Sequence, residues 1–231
     1  MRCLSSASRW TICVDFDETC STKDTTADLA LLACRVKQQP TDEWDRLVDL
    51  FLQDYARVMA TLGPPSTSYD PKGLASFLAA YSEADLTSVA RVIESGVLAG
   101  VPRAAIESRA VLKPGCVRVL SEWTGDVAVL SSNWSQTNVT SALAPIVLDR
   151  ARSGRSTSIH ANGRIRRRPR HLDHPRRAEL EFDGYDISTG NILLPIKTPH
   201  DKAARVAAMQ DPDPGALSHH PLFLTPFQLT G

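Results

Sequence analysis

Apolar positions along the chain fall into two patterns, and the switches between them predict the architecture. The first pattern is a short continuous run. TICVDF, residues 11–16, and DVAVLSS, residues 126–132, are apolar and rich in β-branched residues, and each predicts a short buried strand. The second pattern is the three- and four-residue spacing of an amphipathic helix. Trp44, Leu47, Val48, Phe51, Tyr55, Val58 and Leu62 fall on one stripe and predict a helix over 41–62. Thr41 is its candidate N-cap, and Asp42 and Glu43 suit the positive end of its dipole. Helical character precedes it in ADLALLACRV. It resumes after Asp70, a candidate cap with Pro71 at the first helical position, in GLASFLAAY and SVARVIESGVLAGV. PRAAIESRAV predicts one more short helix, CVRVLSEW and NWSQTNVTSALAPIV two helices flanking the second strand, NILLPI a strand, and DKAARVAAM a last helix.

Strand, helical block, then helix–strand–helix predicts an α/β fold with a Rossmann-like parallel sheet. The block over 22–110 is too long for one crossover and is read as an inserted all-helical cap. The core is then split between 10–21 and 111–210. Periodicity fades after Arg150. Residues 163–178 form an Arg-rich insert read as a disordered, solvated loop, and 211–231 form a proline-rich tail with no helix or clean strand.

Composition narrows the function classes. The 231 residues carry a formal net charge of zero, so the whole chain has no bulk attraction to nucleic acid or to an anionic membrane. The seven arginines between Arg164 and Arg177 are the only hint of a nucleic-acid partner. Five cysteines (Cys3, Cys13, Cys20, Cys34, Cys116) form no CxxC pair, which argues against a disulfide framework or zinc site and fits a reducing, cytoplasmic setting. The first ten residues lack the apolar core of a signal peptide, and no apolar run approaches the length of a membrane span. The glycosylation triplets at Asn133 and Asn138 are therefore read as chance.

The candidate chemistry sits at the end of the first predicted strand. Asp15 and Asp17 follow an apolar run, where a carboxylate is costly unless something binds it. Strand ends of a parallel sheet face the ligand crevice, and residues i and i+2 both reach it. One carboxylate there can attack phosphorus, and the other can protonate the leaving oxygen and then activate water. Phosphoryl transfer also needs cations and hydrogen-bond donors around the spreading charge. Ser131, ending the second predicted strand, and Lys202, near a helix N-terminus, are the candidates. Ser132 and Lys197 are their rivals.

Asp15-x-Asp17-x-Thr19, a strand ending at Ser131 and a later Lys202 resemble, in order, motifs one to three of the haloacid dehalogenase superfamily. DFDETCSTKDT, VLSSNW, ISTGN and TPHDK resemble its phosphatase branch that includes the thiamine-monophosphate phosphatase domain of plants and fungal relatives. The resemblance spans about Thr11 to Val206, the Arg-rich stretch excepted. It implies Asp15 as nucleophile and Mg²⁺ ligand, Asp17 as general acid/base and second Mg²⁺ ligand through its carbonyl, and Phe16, Ser131 and Lys202 as phosphate contacts. The helical insert would be a cap closing over a small phosphorylated metabolite.

A fourth motif of that superfamily, a further strand ending in acidic residues often spaced Gly-Asp-x-x-x-Asp, does not follow Lys202. Asp211 and Asp213 stand in QDPDPG, where prolines oppose a central strand. The C-terminal part of the core is accordingly expected to be incomplete, with an open edge beside the first strand. Three readings follow: a Mg²⁺-dependent phosphomonoester hydrolase working through an aspartyl-phosphate; a catalytically impaired relative with a binding or regulatory role; and a truncated or misread gene product.

Overall fold

The computed structural model describes residues 11–62, 68, 70–107, 110–153, 159–161, 179–193, 197–210 and 221–224. Its centre is a four-stranded sheet. Strands β1 (Thr11–Val14), β2 (Asp126–Val129), β3 (Ile159–Ala161) and β6 (Pro221–Leu224) lie in the order β3-β2-β1-β6, and each neighbouring pair is parallel. β1 and β2 are buried along their full length, as the continuous apolar runs predict. Helices α5 (Pro114–Glu122) and α6 (Gln136–Arg152) cover them. Cys116 and Leu120 of α5, with Val139, Leu143 and Ile146 of α6, pack on Ile12, Val14, Val127 and Val129. The described cysteines are buried thiols, with no disulfide among the described residues.

The sheet corrects one expectation. The edge beside β1 is not open: β6 pairs along it, Thr11 opposite Pro221 to Val14 opposite Leu224. Proline within PLFL argued against a strand there. Pro221 is the first residue of the strand and β6 is an edge strand, the two settings in which a missing N–H is tolerated. β3 likewise lies in a stretch that carried no periodicity. The Arg-rich run 164–177 lies outside the described residues.

Between β1 and β2 the chain runs through α1 (Thr25–Lys37), α2 (Asp42–Leu62), α3 (Pro71–Ser95) and α4 (Arg103–Ile106). Asp24 caps α1 through Thr26 N–H, and Asp70 caps α3 through Lys72 N–H, with Pro71 in the first turn as predicted. The two helical stretches after Asp70 are one continuous helix. It stops at Gly96, whose φ of 64° is a left-handed cap. Asp54 locks α2 to α3, taking Arg91 at 2.5 Å and Arg57 at 2.7 Å. The Arg91 hydrogen bond holds its carboxyl below the usual range.

A hairpin of β4 (Glu179–Phe182) and β5 (Ser188–Leu193) turns at Asp183-Gly184, a turn the sequence signals. The expectation places these residues with the core. Among the described residues the hairpin joins no strand of the central sheet; its backbone bonds instead to Gly100 and Val101, and its buried face, Leu180 and Ile192, joins the cluster of Leu29, Leu32, Val92, Leu98 and Ile106 from the helical layer. The alternation along β5 leaves just one apolar face, which a two-sided central strand would waste. The last helix, α7 (Pro199–Gln210), follows the hairpin. Among the described residues no helix is long and apolar enough to cross a membrane.

Arg150, fully buried on α6, ties the far end of the core by donating to the carbonyls of Leu120 (2.6 Å), Trp123 (2.7 Å) and Gly125 (2.7 Å). Arg150→Met keeps the stem and strands those acceptors. It should lower unfolding free energy by about 3 kcal/mol in urea titration, within the cost of leaving buried polar groups unpaired. A loss under about 0.5 kcal/mol, the size of a surface substitution, would contradict this role.

Candidate active site

The ladder between β1 and β2 extends one residue past β2: Leu130 N–H donates to the carbonyl of Val14, the last residue of β1, at 2.8 Å. The two chains therefore leave the sheet side by side, carrying Asp15, Phe16 and Asp17 on one and Ser131 to Asn133 on the other. Lys202, in the first turn of α7, reaches in and places Nζ 2.9 Å from Asp15 Oδ1. Both side chains of this pair are partly open to solvent, 30% for Lys202 and 41% for Asp15. Lys197, the rival cation, lies on the wall of the same cleft without reaching Asp15.

Asp17 is held more tightly. Its Oδ1 accepts from Thr25 N–H at 2.9 Å and from Thr25 Oγ1–H at 2.6 Å. Asn133 Nδ2 donates to Asp17 Oδ2 at 3.0 Å, lies 3.3 Å from Oδ1, and donates to Thr25 Oγ1 at 2.7 Å. Ser131 is buried, and its Oγ accepts from Asn133 N–H at 3.0 Å. Ser132 stands on the cleft wall instead, and the N-cap of α6 is Ser135, so neither serine is the helix cap. Thr19 is fully buried, and its hydroxyl takes no hydrogen-bond partner among the described residues.

The turn after Asp17 is closed by its own backbone. The Phe16 carbonyl accepts from Cys20 N–H, Ser21 N–H and Ser21 Oγ–H. Glu18 adopts a left-handed φ of 57°, with its N–H on Ser21 Oγ at 3.0 Å and its carbonyl taking Lys113 Nζ at 2.5 Å. A β-carbon at positive φ is strained, and those two bonds hold the strain in place. Phe16 is fully buried, main chain included. Among the described residues, Phe16 N–H, the Asp17 carbonyl and Asp15 Oδ2 take no protein partner. One donor and two hard oxygen acceptors are thus left without protein partners in the segment that follows β1.

Above them lies a cleft of about 610 Å³ between the sheet end and the helical layer. Asp17 and Lys202 form its floor, and Trp44, Phe51, Tyr81 and Trp134 its apolar wall. Trp44 and Trp134 meet edge to face, with centroids 6.4 Å apart. Trp44, Leu47, Val48 and Phe51 of the stripe on α2 therefore line a cleft, and among the stripe's residues only Leu47 is buried. Trp134 belongs to that wall and also packs against the core cluster of the helical layer.

Sequence reasoning missed Asn133, Thr25 and Asp85. Asn133 registers only as part of a glycosylation triplet, and Thr25 as a small polar residue after the motif. Asp85 sits mid-helix on α3 and carries no local signal. It faces the cleft, and burial raises its pKa above the usual carboxylate range, with Lys202 opposing the rise. Burial, with the Asp85 charge next, raises the Tyr81 phenol too.

No protein-family model matches the chain, and no curated protein matches it. Among solved structures, a phospho-aspartyl intermediate analogue of phosphoserine phosphatase superposes on 97% of this chain and 82% of its own. The TM-score is 0.51 and the identity 13%. The chain shares the fold of that structure, an α/β core with a parallel sheet and a helical insertion. At this identity the likeness speaks for fold.

Asp85 yields a pH test. A carboxyl with a raised folded-state pKa contributes fully below its unfolded value, about 4, and loses that contribution as pH rises through the folded value. Asp85→Asn should therefore raise the urea midpoint at neutral pH, with the difference closing at about pH 4, the unfolded carboxylate value. An equal gain at both pH values would refute a buried charge as its source.

Proposed function

We propose that this chain is a Mg²⁺-dependent phosphomonoester hydrolase that works through an aspartyl-phosphate on Asp15. The observation that carries the proposal is the Lys202–Asp15 contact at 2.9 Å, beside Asp17 and under the cleft. In this reading Asp15 attacks phosphorus in line with the leaving oxygen. Lys202, Ser131 and the Phe16 N–H hold the equatorial oxygens, where charge spreads in the transition state. Asp17 protonates the leaving oxygen and then takes a proton from the attacking water. Its Oδ2 is the oxygen for that work, since Oδ1 already accepts two donors from Thr25.

The donor set fits Mg²⁺. Asp15 Oδ2 and the Asp17 carbonyl are hard oxygens without protein partners among the described residues. Mg²⁺ typically keeps several waters and takes one or two carboxylates plus substrate phosphate. Asp15 and the Asp17 carbonyl would hold it, and the ion would supply charge neutralisation at the phosphoryl oxygens. A small phosphorylated metabolite suits a 610 Å³ cleft, its phosphate at Lys202 and its body against the aromatic wall.

A second reading is a catalytically impaired protein that binds a phosphorylated ligand. Among the described residues no group of three or more His, Cys, Asp or Glu is placed to hold a metal. A phosphomonoester panel separates the two: phosphate release with Mg²⁺ that stops in EDTA supports the hydrolase, and binding without release supports the second reading.

Asp15→Asn should lower kcat by about 1,000-fold or more while retaining the fold, because the variant loses an attacking group used only in the reaction. Turnover near the parent's in a purified assay would rule out Asp15 as nucleophile.

A further inference from the structure

Glu179 is the residue whose contacts the reaction does not explain. It opens β4, more than forty residues after the loop it touches, yet its carboxylate is filled with donors from that loop. Oε2 accepts from Thr137 N–H at 2.9 Å and Thr137 Oγ1–H at 2.6 Å. Oε1 accepts from Ser135 Oγ–H at 3.0 Å and from Leu180 N–H at 3.1 Å. The Ser135 and Thr137 donors belong to the N-cap and first turn of α6, where an anion is favoured by the N–H groups and the helix dipole.

The chain of contacts continues to the reaction centre. Ser135 N–H donates to Asn133 Oδ1 at 2.9 Å. That bond decides which way the Asn133 amide faces. With Oδ1 on Ser135, Nδ2 must point the other way, and it lies 3.0 Å from Asp17 Oδ2 and 2.7 Å from Thr25 Oγ1. A shift of Ser135 would release the amide, and Asp17 would lose its donor from the β2 side.

The other side of the hairpin is anchored to the helical layer. Gly100 N–H donates to the Ser188 carbonyl and Ser188 N–H to the Val101 carbonyl, just beyond α3. Arg103 lies over the Phe182 ring at 3.8 Å, pairs with Asp186 at 3.0 Å and stands 3.8 Å from Glu179. The hairpin is thus fixed at one end to the segment leaving α3 and at the other to the loop carrying Asn133.

We infer that Glu179 is a positioning residue for Asp17, acting through Ser135, Thr137 and Asn133, and that the β4–β5 hairpin ties the helical layer to the acid/base. Its effect on turnover rests on the phosphatase reading; its effect on Asn133 does not. Glu179→Gln keeps an acceptor for Thr137, and Ser135 can donate to it or accept from it. Glu179→Asp keeps the charge by the helix but falls short of Ser135. Glu179→Ala removes both.

The test uses the full chain. Hydrogen exchange of the Asn133 side-chain amide is followed by NMR, and kcat and KM are measured on para-nitrophenyl phosphate. The Asp and Ala variants should speed that exchange and lower kcat by about 10–100-fold, the range for residues that orient a reacting group from behind, with KM nearly unchanged. Glu179→Gln should restore both. Asn133→Ala with Glu179→Ala should be no slower than Asn133→Ala alone, because the two act in one chain. Unchanged Asn133 exchange in folded Glu179→Asp, or a double variant slowed by the product of the single effects, would overturn the inference. A parent that releases no phosphate would end the phosphatase reading alone, and the exchange measurement would still decide Glu179.

Discussion

The parallel register of β1 on β2 is the constraint on which the site depends. Thr11 sits opposite Asp126 and Val14 opposite Val129, and the Leu130–Val14 hydrogen bond carries the pairing one residue past β2. A slip of one residue would turn every side chain to the other face and part Asp17 from Asn133. The register is set by burial: all eight residues of the two strands are buried, so a slip would bring polar Thr11 and Asp126 to positions now held by Ile12 and Val127. Apolar packing thus fixes where the polar chemistry stands.

The helical layer answers a different demand. Its helices are capped and ion-paired like any surface helices, yet part of the apolar stripe of α2 is left facing a cleft. Exposed aromatic area forgoes burial energy unless a ligand body or closure covers it. Asp85, half-buried on the cleft wall and within the field of Lys202, adds an electrostatic cost of the same kind. Both costs are intelligible if the cleft is filled during the protein's work, with its anion on Lys202 and its body on the rings.

Much of this was legible in the sequence where cause and effect are local. Thr11–Val14 and Asp126–Val129 follow from continuous apolar runs, α2 from its spacing, and the start of α3 from Asp70-Pro71. Asp15 and Lys202, 187 residues apart, could be paired only because their order resembles a known family. What stayed hidden has distant partners or runs against local propensity. Asn133 matters through contacts more than a hundred residues away, and Glu179 through a helix end it does not adjoin. β6 was discounted for its proline, because its edge position is a property of the sheet and not of PLFL itself.

The central claim is that Asp15 carries the phosphoryl group. The direct measurement is to react the protein with a phosphomonoester, quench in acid, reduce any acyl phosphate with borohydride, and read peptide masses. The account predicts homoserine in place of Asp15 and at no other carboxylate. Phosphate released with Asp15 unreduced, or the modification found on a different residue, would contradict it.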